Sequence, residues 1–127
     1  MIGKVTEADE KHTQTTFTIL ADNALVEDGL FTAGGLIENM AQTAGAGTGY
    51  MAIHNGKPMP MGYIAALKHV QIKALPKVSD TIITETTFVQ TLMSFHLVKG
   101  RVMIGDNEIA NCEFKIFVTP DKAAVKE

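Results

Sequence analysis

The sequence predicts an α+β fold in which one long central helix is followed by an antiparallel sheet. Three observations carry this. Asp28 to Tyr50, DGLFTAGGLIENMAQTAGAGTGY, opens as a turn rich in glycine and threonine and continues as a nearly charge-free helix. From Met61 onward the apolar residues change to a period of two. Between the two, His54 to Pro60, HNGKPMP, interrupts the chain with a glycine and two prolines. Helix and strands in separate blocks, rather than alternating, are the pattern of the α+β class.

Taken in order, residues 1–12 are polar and mixed in charge, which fits a short strand or a loose leader. Thr13 to Leu20, TQTTFTIL, is β-branched and reads as a strand. Ala21 to Gly29 is a loop, with turn chemistry at Asp22-Asn23 and Asp28-Gly29. The helix is expected over about 34–52, with Thr32 as its N-cap. Four strands then follow: Tyr63 to Ile72, Thr81 to Gln90, Ser94 to Ile104 and Glu108 to Thr119. Gly105-Asp106-Asn107 forms the hairpin turn between the last two. Residues 120–127, PDKAAVKE, are expected to fray. No internal repeat or linker is visible, so residues 1–127 are read as a single domain.

Composition narrows the function. Hydrophobic residues make up 46% and charged residues 20%, an ordinary balance for a globular protein. The formal net charge is −3 with no basic stripe, which argues against a nucleic-acid partner. No apolar run is long enough to span a membrane, and the N-terminus has no signal core. Cys112 is the one cysteine, which excludes an internal disulfide and fits a reducing compartment, and with the preceding observations a cytoplasmic location is expected. Cys112 itself reads as a small core residue of a strand. Metal-ligand spacings, phosphate-cradling loops and dinucleotide fingerprints are missing, so neither metal nor cofactor is expected.

The helix carries the chemistry. Leu36, Ile37, Met40, Ala41, Ala44 and Thr48 recur at helical spacing as one apolar face. A second face holds Glu38, Gln42, Gly45 and Gly49, and polar side chains at i and i+4 can bond each other. From Gly29 to Ala52, Glu38 is the only charge, and a carboxylate in such surroundings needs a reason to be there.

Leu36-Ile37-Glu38-Asn39-Met40-Ala41-Gln42, followed by Thr43-Ala44-Gly45, resembles the central-helix motif of the (R)-3-hydroxyacyl-acyl-carrier-protein dehydratases of fatty acid synthesis. Lys73-Ala74-Leu75-Pro76-Lys77-Val78-Ser79-Asp80 echoes a Lys/Arg-x-Pro-x-x-x-Gly-Asp turn of that family. The resemblance covers about residues 14–118 and implies the hotdog fold, a curved antiparallel sheet wrapped around the helix. It further implies a homodimer, or higher oligomer of dimers, or pairing with a paralogous hotdog subunit. The substrate it implies is an acyl thioester carried on acyl carrier protein or coenzyme A, threaded into an apolar tunnel beside the helix. Glu38 would then help the β-hydroxyl leave as water, with Gln42 as its structural partner. The helix N-terminus at Gly34 and Gly35 would polarise the thioester carbonyl. Met61 and Gly62, past the helix break, are further substrate-facing candidates, and Met40, Met51, Met59, Met93 and Met103 suit either an adaptable tunnel or core filling.

One departure stands out. The family's loop histidine, which takes the α-proton, has no counterpart, since no histidine lies between His12 and His54. Asn23, Glu27 or Asp28 replaces it, a histidine arrives from elsewhere, or dehydration of the usual kind is absent. Asn23 and Asp28 are carried forward as catalytic candidates, although turn formation explains them equally well. His69 and His96 fall within strands, where a structural role is the commoner one. Two other functions compete: a hotdog thioesterase, whose acid tends to sit farther along the helix where this chain has Thr43, and a non-catalytic subunit that binds acyl chains.

Overall fold

In a computed structural model of the protein, residues 2–9, 11–54, 62–92 and 95–118 are described. The chain runs β1 (Lys4–Ala8), β2 (His12–Thr18), β3 (Val26–Glu27), β4 (Leu30–Phe31), α1 (Ala33–His54), β5 (Gly62–Ile72), β6 (Thr81–Leu92), β7 (Phe95–Ile104) and β8 (Asn107–Val118). Six strands form one antiparallel sheet in the order β1-β2-β6-β7-β8-β5, and β3 and β4 form a separate small hairpin. The α+β class and the one helix among the described residues agree with the sequence reading. The polar leader is a true edge strand, and the loop before the helix contains the small hairpin, neither of which periodicity could show in segments so short.

Local chemistry explains the boundaries. The amide of Gly35 donates to the Thr32 hydroxyl at 3.1 Å, the expected N-cap. Asp28 and Gly29 both hold positive φ, 53° and 78°, the two-residue turn that matches strand twist in the β3–β4 hairpin. Gly105, φ 59°, serves the β7–β8 turn in the same way. Among the described residues no helix is long and apolar enough to cross a membrane. The expected fraying of 120–127 falls outside the described residues.

The core lies between α1 and the sheet. Phe31, Leu36, Met40, Ile82, Val102 and Phe114 are fully buried there, each contributing about 1.5–3 kcal/mol by leaving water. Gly100 lets the helix come close, because a Cβ at that position would stand 3.1 Å from the Met40 sulfur and 3.2 Å from the Phe114 ring. Cys112 is a free, buried core thiol beside that sulfur. Desolvation, then the neighbouring Glu113, pushes it up to about 11.

Candidate functional site

The helix has two polar faces rather than one. The face turned to the sheet includes Asn39 and Thr43, both fully buried in line with Leu36, Met40 and Gly47. Thr84 of β6 donates to the Asn39 carboxamide oxygen at 2.5 Å, and the Thr43 hydroxyl donates to the Asn39 backbone carbonyl at 2.9 Å. Since that proton is used, Thr15 of β2 supplies the proton for its 2.7 Å bond to Thr43. Thr13 and Thr86 extend the buried polar layer, and a Cβ on Gly47 would overlap the Thr13 hydroxyl. Among the described residues no buried side-chain nitrogen or oxygen lacks a partner. The apolar stripe expected at Leu36, Ile37, Met40, Ala41 and Ala44 is therefore only partly the core face. Ile37, Ala41 and Ala44 flank it, half-buried.

The opposite face carries the candidate chemistry. Glu38 is exposed, and the Gln42 amide donates to its carboxylate at 2.8 Å. Gly34 and Gly45 are exposed on either side, and nothing lies within 4 Å of a Cβ placed on Gly45. The i, i+4 pair foreseen from sequence is thus present, on an open surface beside small residues. Among the described residues, Glu38 stands exposed rather than in apolar surroundings.

The other candidates separate. Gly35 is buried, its amide is taken by the cap, and an added Cβ would stand 2.7 Å from the Phe31 ring. It packs the helix start against Phe31, whereas Gly34 beside it is exposed. Asn23 accepts from the Leu25 amide at 2.8 Å, closing an Asx turn, and Asp28 forms the exposed hairpin turn. Both perform turn chemistry. Gly62 opens β5, whereas Met59, Met61 and Met93 lie outside the described residues.

Of the histidines, His12 pairs with Glu85 at 3.5 Å on the outer face of the sheet, where Arg101 bridges Glu85 and Glu108. His69 is exposed at an irregularity of β5, with φ 54°, and lines a cavity of about 490 Å³ among those charges. These residues alternate along their strands with the buried Thr84, Thr86 and Val102, so that cavity lies across the sheet from the helix. His96 is the exception. It is half-buried on the helix side of the sheet, its ring 4.9 Å from that of Phe88. Among the described residues no cluster of three or more His, Cys, Asp or Glu is arranged to hold a metal.

What sequence reading missed is the buried Asn39–Thr43 face. The signal was available: Asn39, Thr43 and Gly47 recur every fourth residue, and Thr13, Thr15, Thr84 and Thr86 sit at period two on two strands.

Comparison with known proteins gives this geometry a context. The ApeP-like family, described as ApeP dehydratase, matches residues 1–127. The dehydratase heterocomplex ApeI:P from Xenorhabdus doucetiae superposes with a TM-score of 0.85 at 15% identity, covering 98% of this chain and 86% of that one. A hypothetical thioesterase from Streptococcus pneumoniae, solved with coenzyme A, gives 0.75 at 15% identity over 93% and 86% of the two chains. A Streptococcus mutans protein bound to acetyl coenzyme A gives 0.74 at 18% identity over 93% and 89%. At these identities the structural likeness establishes the hotdog fold. A comparison with curated proteins found no match.

Proposed function

This chain belongs to the ApeP-like dehydratase family, and from that premise we propose that it acts on 3-hydroxyacyl thioesters as a hydro-lyase subunit. The observation that carries the reading is the Glu38–Gln42 pair, exposed on a glycine-flanked helix face in a hotdog fold. In this reading Glu38 gives its proton to the β-hydroxyl as the C–O bond breaks, and water leaves. Gln42 orients the carboxylate, and the exposed first turn at Gly34 polarises the thioester carbonyl. The group that takes the place of the family's loop histidine is Asn23, Glu27 or Asp28, or it comes from a second chain, and Asp28 stands exposed at the hairpin turn before the helix.

A second hotdog chain, identical or paralogous, completes the proposed site. β5 supports this, since among the described residues it ends the sheet with no strand on its outer side, and it exposes Ile64, Leu67 and Val70. A long apolar edge is the kind of surface another strand covers. The dehydratase from Xenorhabdus doucetiae is itself a heterocomplex, which makes a paralogous partner a natural alternative to a homodimer. The acyl group would arrive on acyl carrier protein or coenzyme A, in the cytoplasm, as part of fatty acid or related lipid or polyene synthesis. The thioesterase reading is weaker on one specific ground. Its acid would fall at Thr43, which is fully buried and bonded to Thr15 and Asn39.

The test is a mass-spectrometric assay of a 3-hydroxyacyl thioester on carrier protein, with wild type and Glu38→Ala, alone and mixed with a paralogous subunit. Loss of one water in the wild type, abolished in the variant, is the expected result. Release of a free thiol would assign the protein to the thioesterases. Unchanged substrate under all conditions would leave an acyl-binding subunit without chemistry of its own.

A further inference from the structure

Glu38 and Gln42 each stand one position before a residue of the buried face: Glu38 before Asn39, and Gln42 before Thr43. Two consecutive turns of α1 therefore carry, side by side, one residue turned away from the sheet and one buried against it.

The buried pair meets a single spot of the sheet. Thr15 of β2 and Thr84 of β6 are register partners on adjacent strands, and both are fully buried. Asn39 accepts from the Thr84 hydroxyl at 2.5 Å, and Thr43, one turn on, accepts from the Thr15 hydroxyl at 2.7 Å. Two helix turns are thus bonded to two neighbouring strands at one position.

Apolar burial alone points elsewhere. At about 100° per residue, the stripe Leu36, Ile37, Met40, Ala41 and Ala44 is centred about 75° from the buried face of Leu36, Asn39, Met40, Thr43 and Gly47. Leu36 and Met40 belong to both, so they do not choose between the two rotations. Gly47 permits the observed one, since a Cβ there would overlap the Thr13 hydroxyl, yet it supplies no attraction. What the observed rotation gains is the two bonds. Asn39 and Thr43 are costly to bury without partners, and this rotation brings them to Thr84 and Thr15.

We propose that Asn39 and Thr43 are positioning residues for Glu38: their bonds to Thr84 and Thr15 select the rotation of α1, and with it the direction in which the Glu38 carboxylate is presented. The kinetic consequence rests on the hydro-lyase reading given above, whereas the rotation does not. A turn of about 75° carries the carboxylate several ångströms around the helix axis. A misplacement of about 1 Å already costs a reaction roughly a hundredfold.

The test removes both partners of each bond in a quadruple variant, Thr15→Val, Asn39→Leu, Thr43→Val and Thr84→Val. Replacing a bonded pair by apolar groups of similar shape strands no polar atom. Rotation is read by alkylation of cysteines placed singly at Ala44 or Ala46, which are half-buried about 80° to either side of the buried face. The native Cys112 is buried and stays silent. In the wild-type background the two thiols should label within about threefold of each other. In the quadruple variant they should diverge about tenfold, Ala46→Cys becoming the faster, while kcat for loss of water falls about a hundredfold with KM little changed. The Thr15→Val and Thr43→Val pair alone, which exchanges two hydroxyls for methyls, should shift the labelling the same way and serves if the quadruple variant does not fold. Thr84→Ser, which keeps the hydroxyl, should retain wild-type labelling and rate. An unchanged labelling ratio would overturn the clamp and leave the hydro-lyase reading intact. Diverging labels with an undiminished rate would overturn Glu38 as the group that the clamp aims. A wild type that releases no water would overturn the hydro-lyase reading, and the labelling would still decide the rotation.

Discussion

The two faces of α1 carry similar polar groups in opposite circumstances. Toward the sheet, Asn39 and Thr43 are fully buried and bonded to Thr84 and Thr15. Away from it, Glu38 and Gln42 bond to each other on an open surface. A buried carboxamide or hydroxyl is tolerated only when satisfied, and once satisfied it fixes the rotation of the helix about its axis. An exposed carboxylate contributes little to stability and remains available for chemistry. The inner face thus aims the outer one, one residue away in sequence.

Substitutions should separate the two roles. The largest effect is expected on the outer face. Glu38→Gln should lower dehydration about 10²–10⁴-fold, the usual contribution of a positioned acid, while stability stays within about 0.5 kcal/mol of the wild type. Kinetics paired with thermal melts check this, and a large drop in melting temperature would show that Glu38 is structural. On the inner face the order reverses. Asn39→Ala should cost about 1–3 kcal/mol by stranding the Thr84 hydroxyl, and Gly47→Ala a similar amount by forcing the helix off Thr13. Denaturant titration measures both, and a stable Asn39→Ala protein would mean that the buried layer does not hold the helix.

Cys112, beside the Met40 sulfur, reports on the same inner face. With its thiol pushed up to about 11 and buried, it should resist alkylation near neutral pH until the helix lifts from the sheet. Labelling that tracks global unfolding would agree, and fast labelling of the folded protein would show that the face opens locally. The smallest effect concerns His96. Its pKa is lowered by burial, so below about 6.5 the unfolded chain takes a proton that the native ring resists, and stability falls as pH drops through that range. Melting curves between roughly pH 7 and pH 5.5 should show a smaller loss in His96→Gln than in the wild type.

Much of this architecture was legible in the sequence because it rests on local signals. The apolar periodicity, the Thr32 cap, the proline break and the Asp28-Gly29 turn all act within a few residues. The Glu38–Gln42 pair was legible for the same reason, as i and i+4 neighbours on one helix. Asn39 and Thr43 were not recognised as core residues, because whether a polar residue is buried depends on the threonines that meet it from β2 and β6. Gly35 illustrates the same limit: its role is set by the Phe31 ring packed against it.

By itself the sequence determined the fold class, the position of the helix and the identity of its one carboxylate, since propensity, capping and periodicity are properties of neighbouring residues. Only the tertiary structure decided which helix face meets the sheet, that Asn23 and Asp28 are engaged as turns, and that His96 alone of the described histidine side chains faces the helix side. Those outcomes depend on strand register. The single extra residue at Val89 reverses which side the Gln90 and Thr91 side chains face, and no local propensity encodes that.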